Sequence, residues 1–358
     1  MPIKTRFLIT SDTHSAVFDV KEGHKADVVI HCGDLSQYSH IDHYPTTIDL
    51  LRRLDAPLKL VIAGNHDQAL QEDRYDDHLR TKLDWYRNTL PQEQIIRNFG
   101  PRGEPRRLLT SPEAKASGIV FLDEGNHSFH LQNGASMRVY ACPWTPEAQP
   151  GRAFQYKEHE GHDFAIADNV QIVITHGPPR GILDWTSRNT LAGCPQLFGA
   201  MAQARPLIHC FGHIHGAWGA QVAVWKQPDD DGHRHNDNRR RSPRNVTVAN
   251  HVDVDASFFV EKLPNLTRNW SDPPAAQQAK AEKKAEYDRQ GFAHTSHCSD
   301  GDDVPLVPGQ HTLFVNASHE GSTVGQAAGI LEQWPWLVDI ELPSVEEELA
   351  RRRVNPYR

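Results

Sequence analysis

The chain has 358 residues, a formal net charge of −8 at pH 7 and five cysteines. This length is enough for one large domain or two small ones with a sizeable core. The acidic balance argues against a general attraction to nucleic acid or to an anionic membrane, and no apolar run is long enough to cross a membrane. The cysteines are scattered and odd in number, and residues 1–10 are too short and too polar for a signal peptide, so we expect reduced thiols and a cytoplasmic location.

Short apolar runs alternate with longer polar segments in the N-terminal part of the chain, which is the rhythm of strands joined by crossover helices. The runs that we predict to be strands are 6–10, 27–31, 58–63, 170–175 and 207–211. Apolar residues at helical spacing predict a helix over 76–90, which Pro91 ends, and a second helix over 195–204.

The alternation of short apolar runs with long polar segments ends near residue 119. The runs 119–122, 128–131 and 137–141 are short and are separated by turn sequences, so we expect antiparallel hairpins there. After residue 225 the composition becomes charged and rich in turn residues. Within that part, 271–290 is rich in Ala, Lys, Glu and Gln and predicts a solvated helix, whereas 294–309 is predicted to be a loop.

Five short polar blocks occur in register with the predicted strands. They are Asp12-Thr13-His14, Gly33-Asp34, Gly64-Asn65-His66-Asp67, Thr175-His176-Gly177 and Gly212-His213-Ile214-His215. Each block closely follows an apolar run, except the fourth, which ends one. Carboxylate, imidazole and amide groups are therefore delivered to one end of several strands. This mixture of oxygen and nitrogen ligands suits two divalent metal ions that share a carboxylate.

The pattern D-x-H, G-D, G-N-H-D, T-H-G and G-H-x-H resembles that of the calcineurin-like metallophosphoesterases. The resemblance covers residues 5–225 and resumes at 312–342. The stretches 175–184, 312–318 and 337–342 are similar to a narrower branch, the metallophosphoesterase-domain-containing phosphodiesterases. The resemblance implies an α/β fold, specifically a four-layer α/β/β/α sandwich of two facing mixed sheets.

The resemblance also implies a domain organisation. In the family pattern the strand containing Asn316-Ala-Ser318 comes soon after the G-H-x-H block, so 226–308 is expected to be an insertion within a single domain that spans 1–358. We expect a surface elaboration, and the alternative is a cap or an oligomer contact that shapes substrate access. Residues 344–358 are expected to form a C-terminal helix and tail, begun by a capping box.

By resemblance, one metal ion takes Asp12, His14 and His215, and the other takes Asn65, His176 and His213. Asp34 bridges both ions, because only a carboxylate can offer one or two oxygens to cations roughly 3.5–4 Å apart. The ligand set leaves the metal open among Mn, Fe, Zn, Ni and Mg. Position 37 is Gln, and Tyr38 comes one residue too late for the ligand tyrosine of purple acid phosphatases. An Fe(III)–tyrosinate site is therefore not expected.

His66 follows a ligand directly and, by family analogy, is not itself one. It would face the leaving-group oxygen as a general acid or as a hydrogen-bond donor to the transition state. Asp67 is a candidate to orient His66, although adjacent side chains rarely pair. Arg180 and Arg188 are candidates for binding the substrate phosphate, since arginine matches phosphate bidentately; the alternative is that both are ordinary surface arginines.

The chain has 22 histidines, so most of them cannot be ligands. We assign one group to the surface or to local hydrogen bonds: His24, His40, His43, His78, His127, His159 and His162. His233 and His235 lie close to acidic residues, and we interpret them as part of a solvated charged loop, with capture of a stray metal ion as the alternative.

The sequence thus predicts a dinuclear metal-dependent phosphoesterase that hydrolyses phosphodiesters such as cyclic nucleotides, through attack by a hydroxide bridging the two ions. Its partner would be a small phosphate ester, not a membrane or a nucleic acid, and the oligomeric state stays open. Three alternatives remain: a phosphomonoesterase, a dimetal enzyme acting on a non-phosphate substrate, and a scaffold that binds metal or nucleotide without turnover.

Overall fold

The computed structural model describes residues 1–227, 246–321 and 332–354, without the side chains of the last four. The strands are β1 Ile3–Thr10, β2 Val28–His31, β3 Leu58–Val61, β4 Ile119–Phe121, β5 Gly125–His130, β6 Ser136–Cys142, β7 Thr145–Pro146, β8 Gln155–Tyr156, β9 Ile172–Thr175, β10 Ile208–Phe211, β11 Gly219–Trp225, β12 Val252–Lys262, β13 Ala293–Ser296, β14 His311–Asn316 and β15 Trp336–Leu342. The helices are α1 His43–Arg53, α2 Tyr75–Tyr86, α3 Gln92–Phe99, α4 Glu104–Leu109, α5 Pro112–Ala116, α6 Pro195–Ala204, α7 Val248–His251, α8 Pro274–Gln290 and α9 Val345–Val354.

Two large mixed sheets dominate the fold. The first has six strands in the order β13-β15-β1-β2-β3-β4, and the second has seven in the order β12-β11-β14-β10-β9-β6-β5. In the first sheet β1 is antiparallel to β15 and parallel to β2, which in turn is parallel to β3. In the second sheet β10 lies between β9 and β14, parallel to both. Strand ends that carry the polar blocks therefore point the same way within each sheet.

The two sheets face each other across one buried core. Phe7 and Ile9 of β1 belong to the same cluster as Val139 of β6 and Ile172 of β9. Leu8, which lies between Phe7 and Ile9, belongs to a different cluster, because successive strand residues point to opposite faces. Consecutive residues of β1 are apolar because apolar layers cover both faces of the strand.

Helices cover the outer face of each sheet. Leu51 of α1 and Leu109 of α4 share the cluster on the outer face of the first sheet. Phe198 and Met201 of α6 share a cluster with Phe314 of β14 on the outer face of the second sheet. The order helix, sheet, sheet, helix confirms the α/β class and the four-layer sandwich of two facing mixed sheets. In the described part of the chain, no helix has the length and apolar character needed to cross a membrane.

The five strands predicted to carry the polar blocks are all present, and so is the helix over 195–204 as α6. The predicted helix over 76–90 is shorter, since α2 ends at Tyr86. The hairpin prediction was half wrong. Strands β5 and β6 do form an antiparallel hairpin, but β4 pairs in parallel with β3 in the other sheet. The crossover that a parallel pair requires contains α2 to α5, and the sequence indicated only α2 among them.

The segment 226–308 adds an edge strand to each sheet. β12 pairs with β11 and β13 pairs with β15, so the expectation of a loop over 294–309 was wrong at its start. Leu263, Leu266 and Ala293 join the core between the sheets. The segment is therefore more than the surface elaboration that we expected, because part of it is buried between the sheets. The predicted solvated helix is confirmed as α8, which buries none of its residues.

The remaining predictions concern the C-terminal helix, two histidines and the domain organisation. The capping box before α9 is confirmed, since Glu347 N donates to Ser344 Oγ at 3.2 Å and Ser344 N donates to Glu347 Oε2 at 3.2 Å. His233 and His235 lie outside the described residues. The assignment of 226–308 as an insertion within one domain stays a prediction.

Candidate metal centre

The polar blocks lie at the carboxyl ends of β1, β2, β3, β9 and β10, where the loops are held together by backbone hydrogen bonds. The amide of Asp12 donates to Gly33 O at 2.9 Å, and the amide of His14 donates to Asp34 O at 3.0 Å. In the second sheet, the amide of Gly212 donates to the carbonyl oxygen of His176 at 3.0 Å. These backbone hydrogen bonds alone fix the positions of the loops relative to one another within each sheet.

Left-handed backbone conformations concentrate at these loops. The φ angles are 50° at Asp12, 48° at His14, 54° at Asp34 and 67° at His213. Residues with a Cβ rarely adopt this region, and such conformations cluster at functional sites. All four residues are in the predicted ligand set, so the backbone turns sharply where the ligands are presented.

Two glycines of the blocks make room for the carboxylates. A Cβ at Gly64 would collide with Asp34 Oδ1, and a Cβ at Gly212 would collide with the carboxylate of Asp12. Only glycine allows these close approaches of backbone to ligand side chain. The glycines in G-N-H-D and G-H-x-H are therefore packing requirements of the site itself.

The predicted ligands of the first ion come together. Asp12, His14 and His215 offer ligand atoms that all lie within 4.8 Å of one another. His215 Nε2 is 3.2 Å from Asp12 Oδ1. The other oxygen of Asp12 accepts hydrogen bonds from Ser318 Oγ at 3.0 Å and from the amide of His213 at 2.9 Å, which orients the carboxylate.

The predicted ligands of the second ion also come together. Asn65 Oδ1 lies 2.8 Å from His176 Nε2, and the rings of His176 and His213 have centroids 5.0 Å apart. Asp34 presents one oxygen to each group. Its Oδ1 is 3.4 Å from His176 Nε2, while its Oδ2 is 3.6 Å from His14 Nε2. A carboxylate placed in this way is suited to bridge two cations.

The carboxylates are ionised despite complete burial. Burial works against the charged form of Asp34, but the neighbouring imidazoles of His176 and His66 outweigh it and hold the pKa well below its usual range. Burial likewise opposes ionisation of Asp12, and the hydrogen bond and charge of His215 lower its pKa. Two buried carboxylates with only imidazoles to balance them favour cations at this position.

The residues present fit a pair of divalent cations. Both ring nitrogens of His14 are buried and neither forms a hydrogen bond within the described residues, although Glu320 Oε2 lies 3.1 Å from Nε2. Burial lowers the pKa of His14 to about 4, so its imidazole is neutral, which is the form that binds metal. The oxygen and nitrogen donors suit Mn, Fe, Zn and Ni, and less well Mg, which prefers oxygen alone.

His66 lies at the edge of this centre. Its backbone amide donates to Asp34 Oδ1 at 2.8 Å, and its ring centroid is 4.6 Å from that of His14. His66 Nδ1 is 2.7 Å from the carbonyl oxygen of Gln37. When Nδ1 donates that bond, Nε2 is the nitrogen that remains available for exchange of a proton. Burial lowers the pKa of His66.

Asp67 does not contact the imidazole of His66. Its Oδ2 accepts from the amides of Leu35 at 3.0 Å and Gly64 at 2.9 Å. Its Oδ1 accepts from the amide of Ser36 at 2.9 Å and from Ser36 Oγ at 2.8 Å. The carboxylate therefore ties the loop after β2 to the loop after β3. Asp67 therefore positions the site by binding backbone amides. Its place next to His66 in the sequence had suggested that it would orient the His66 ring.

Arg180 and Arg188 are both exposed, and among the described residues neither forms a hydrogen bond or an ion pair with a proposed metal ligand. A different arginine approaches the site. Arg152 Nη1 lies 3.2 Å from His66 Nδ1. No motif marks Arg152, which comes from the loop between β7 and β8. Ser318, by contrast, had a signal in the sequence, since it ends the Asn316-Ala-Ser318 stretch of the family pattern.

Several other histidines make the local hydrogen bonds that were expected. His24 bonds to Gly291 O at 3.0 Å, His78 to Gln71 Oε1 at 3.0 Å and His127 to Asp123 O at 3.0 Å. His162 has two side-chain partners instead of one. Its Nε2 is 2.6 Å from Glu124 Oε1 and 3.6 Å from Cys142 Sγ.

The family comparison agrees with this geometry. The sequence model of the calcineurin-like phosphoesterase family matches residues 5–217, which is more than half of the chain. The chain belongs to this family. The match spans β1 to β10, which include strands of both large sheets, and it contains all seven proposed protein ligands.

Two curated proteins illustrate the relationship. Metallophosphoesterase domain-containing protein 1 of Homo sapiens is 29% identical over 230 residues, which cover 62% of this chain and 64% of that protein. Probable rhamnogalacturonate lyase C of Emericella nidulans is 28% identical over 225 residues, which cover 62% of this chain and 18% of that protein. The chain thus spans less than two thirds of the length of either relative. A crystal structure of a Thermus thermophilus protein is 13% identical, with a TM-score of 0.36, and the match covers 58% of this chain and 81% of that one.

Proposed function

We propose that the chain is a phosphodiesterase that works with two divalent metal ions. The observation that carries this proposal is the position of Asp34, whose two oxygens face different groups of nitrogen and oxygen donors. One ion would be held by Asp12, His14 and His215, and the other by Asn65, His176 and His213. When bound, such a pair of ions supplies a nucleophile at neutral pH and stabilises the negative charge that develops on the phosphoryl oxygens.

His66 would manage the proton at the leaving group. A water oxygen gives up a proton to solvent and bonds to phosphorus while the bond from phosphorus to the leaving-group oxygen breaks. That leaving oxygen takes a proton from Nε2 of the His66 imidazolium, which becomes the neutral ring. Gln37 O accepts from Nδ1 at 2.7 Å, so Nδ1 keeps its proton and Nε2 is the nitrogen that gives one up. Arg152, 3.2 Å from the same nitrogen, adds positive charge on this side of the site. Arg180 and Arg188 remain candidates for contacts with a bound substrate, from the loop that follows His176.

The preference for diesters over monoesters rests on the resemblance of 175–184 and 312–318 to the phosphodiesterase branch of the family. We further propose a small phosphate ester as the substrate, with no membrane or nucleic-acid partner, in keeping with the net charge of −8. A cytoplasmic location is supported by five free cysteines, all of them buried.

The test is a panel of substrates and metals on protein that has first been stripped with a chelator. Generic aryl diesters, matched aryl monoesters and cyclic nucleotides are assayed with Mn, Fe, Zn, Ni or Mg restored separately. We expect turnover of diesters to exceed that of monoesters and to require metal, with two ions per chain by elemental analysis. An active, fully occupied protein with one ion per chain would refute the dinuclear centre. Faster turnover of monoesters would make the protein a phosphomonoesterase. Metal binding without turnover of any of these esters would refute the phosphodiesterase and would leave a scaffold or a dimetal enzyme acting on a non-phosphate substrate.

A further inference from the structure

A buried lysine without a partner lies on α2, outside the metal centre. The side chain of Lys82 is 3% exposed, and its Nζ forms no hydrogen bond within the described residues. Burying an ammonium group without an opposite charge is costly. Burial and the charge of Arg152 together lower the pKa of Lys82 to about 7. In the described residues, no hydrogen-bond acceptor compensates for the burial of this ammonium group.

The surroundings of Lys82 are aromatic and cationic. Lys82 Nζ lies 5.2 Å from the centroid of the Trp85 ring and 5.9 Å from that of Tyr38. The guanidinium carbon of Arg152 is 5.7 Å from the same Trp85 ring. Cation–π contacts contribute only about 0.5–2 kcal/mol each. In the described residues, neither Lys82 nor Arg152 is within ion-pair distance of a carboxylate. Two cations thus lie near the same indole ring, an arrangement that a bound anion would stabilise.

Lys82 also lines a cavity bounded by Tyr38, His40, Tyr86, Leu90, Ile95, Asn98 and Phe99.

The cationic cluster of Lys82 and Arg152 is connected to the proposed catalytic histidine in two ways. Arg152 Nη1 is 3.2 Å from His66 Nδ1. Gln37, whose carbonyl oxygen accepts from His66 Nδ1 at 2.7 Å, directly precedes Tyr38 in the chain. The cluster therefore adjoins the side of the site where the leaving group would depart.

We propose that Lys82 and Arg152 form a subsite that binds a second phosphate group, carried by the leaving group of the phosphoester substrate. The proposal rests on the function given above. A phosphate with two negative charges matches two cations, and arginine binds it through paired N–H donors. During hydrolysis this second phosphate stays intact. The scissile bond is the one between the other phosphorus and the leaving-group oxygen, which receives its proton from His66.

The first test measures binding without catalysis. Inorganic phosphate is titrated calorimetrically into chelator-treated protein, comparing the wild type, Lys82→Met and Arg80→Gln. Met keeps the length of the apolar stem but removes the charge, and Arg80 is an exposed cation on the same helix, paired with Asp77. We expect phosphate binding about tenfold weaker or worse in Lys82→Met and unchanged in Arg80→Gln. Equal binding by all three proteins would overturn the subsite.

The stability of Lys82→Met provides a control for folding. Because the variant removes an unpaired buried charge, its melting temperature should be equal to or higher than that of the wild type. A clear decrease would mean that the ammonium group stabilises the fold, and it would contradict the proposal.

The second test separates the subsite from the proposed function. Two phosphodiesters that differ only in a second phosphate on the leaving alcohol are compared with metal-loaded protein. The ratio of their kcat/KM values should fall about tenfold in Lys82→Met, mainly through KM, and should not change in Arg80→Gln. An unchanged ratio in an active enzyme overturns the subsite while the proposed function stands. Failure of the wild type to hydrolyse either diester refutes the proposed function, and the phosphate titration then decides the subsite alone.

Discussion

The backbone amide of His66 donates a hydrogen bond of 2.8 Å to Asp34 Oδ1. This bond joins the loop after β3 to the loop after β2, so the candidate proton donor is fixed relative to the carboxylate that would bridge the ions. The Asp34 carboxylate lies beside the imidazoles of His14 and His176, and it accepts the hydrogen bond that positions the backbone of His66. A change at Asp34 should therefore affect both metal binding and the placement of His66, whereas a change of the His66 side chain leaves the amide bond in place.

The first prediction uses this asymmetry. Asp34→Asn should lower both the metal content and kcat, because an amide cannot bridge two cations. His66→Ala should keep the metal content and lower kcat by roughly 10²–10⁴, the usual effect of losing a general acid or transition-state donor. Elemental analysis and steady-state kinetics on the same preparations check both. Full turnover in His66→Ala would show that another group handles the proton, and loss of metal there would make His66 a ligand.

The second prediction concerns Asp67, which accepts four hydrogen bonds from the loop after β2 and from Gly64. Asp67→Ala leaves three buried backbone N–H groups without a partner, so the free energy of unfolding should fall by about 2–5 kcal/mol. Ser36→Ala is the matched control. It removes one of the four donors and leaves no N–H group orphaned, so its loss should be about 1 kcal/mol or less. Chemical denaturation measures both, and equal losses would contradict the anchoring role of Asp67.

The third prediction concerns the pairing of β1 with β15. Asp339 is 1% exposed and accepts from Arg6 Nε and Nη2, both at 2.7 Å, while Lys4 Nζ lies 3.3 Å away. Burial opposes ionisation, but the bonds from Arg6 and His294 hold the pKa of Asp339 well below its usual range. A depressed carboxyl pKa stabilises the folded state above the unfolded pKa of about 3.9, and the effect is lost as the pH falls toward the folded pKa.

Asp339→Asn should therefore lower the free energy of unfolding by about 1–3 kcal/mol near neutral pH, less than for a fully buried pair because the Arg6 side chain is 40% exposed. The difference from the wild type should shrink below about pH 4. Asp123→Asn is the control, since Asp123 pairs with Arg106 while 65% exposed; its effect should stay within about 0.5 kcal/mol. Urea titrations across the pH range give both curves. A pH-independent difference for Asp339→Asn would show that lost packing, not lost charge, causes it.

The sequence predicted that the proposed ligands lie close together because each one follows or ends an apolar run, and the carboxyl ends of such strands meet at one edge. The same reasoning failed for β4. The run 119–122, four apolar residues long, carries no information on whether its partner is parallel or antiparallel. Arg152 was also missed, because it reaches His66 from 86 residues away in the chain. The burial of Lys82 was not predicted for a related reason. A lysine in a helical pattern suggests a solvated face, and this lysine is buried by residues that pack onto α2 from other parts of the chain.

The last prediction concerns the charged run Asp229–Arg241, which lies outside the described residues. The strands on either side of it are already held together. Trp225 of β11 pairs with Val252 of β12, and the amide of Lys226 donates to the carbonyl oxygen of His251 at 3.0 Å. A short Gly/Ser linker in place of the run should therefore preserve the fold and leave the metal content unchanged.

Any effect of that replacement should appear in substrate preference. Val248, a few residues beyond the run, lies against Gly181 in the loop that follows His176, so the segment after the run reaches the loop that carries Arg180, a candidate for substrate contact. Elemental analysis and the panel of diesters and monoesters give the two measurements, with the wild type as reference. If the variant stayed folded, by circular dichroism and melting temperature, but lost its metal, the run would have to supply a ligand. His233→Ala and His235→Ala in the full chain would then identify which histidine it is.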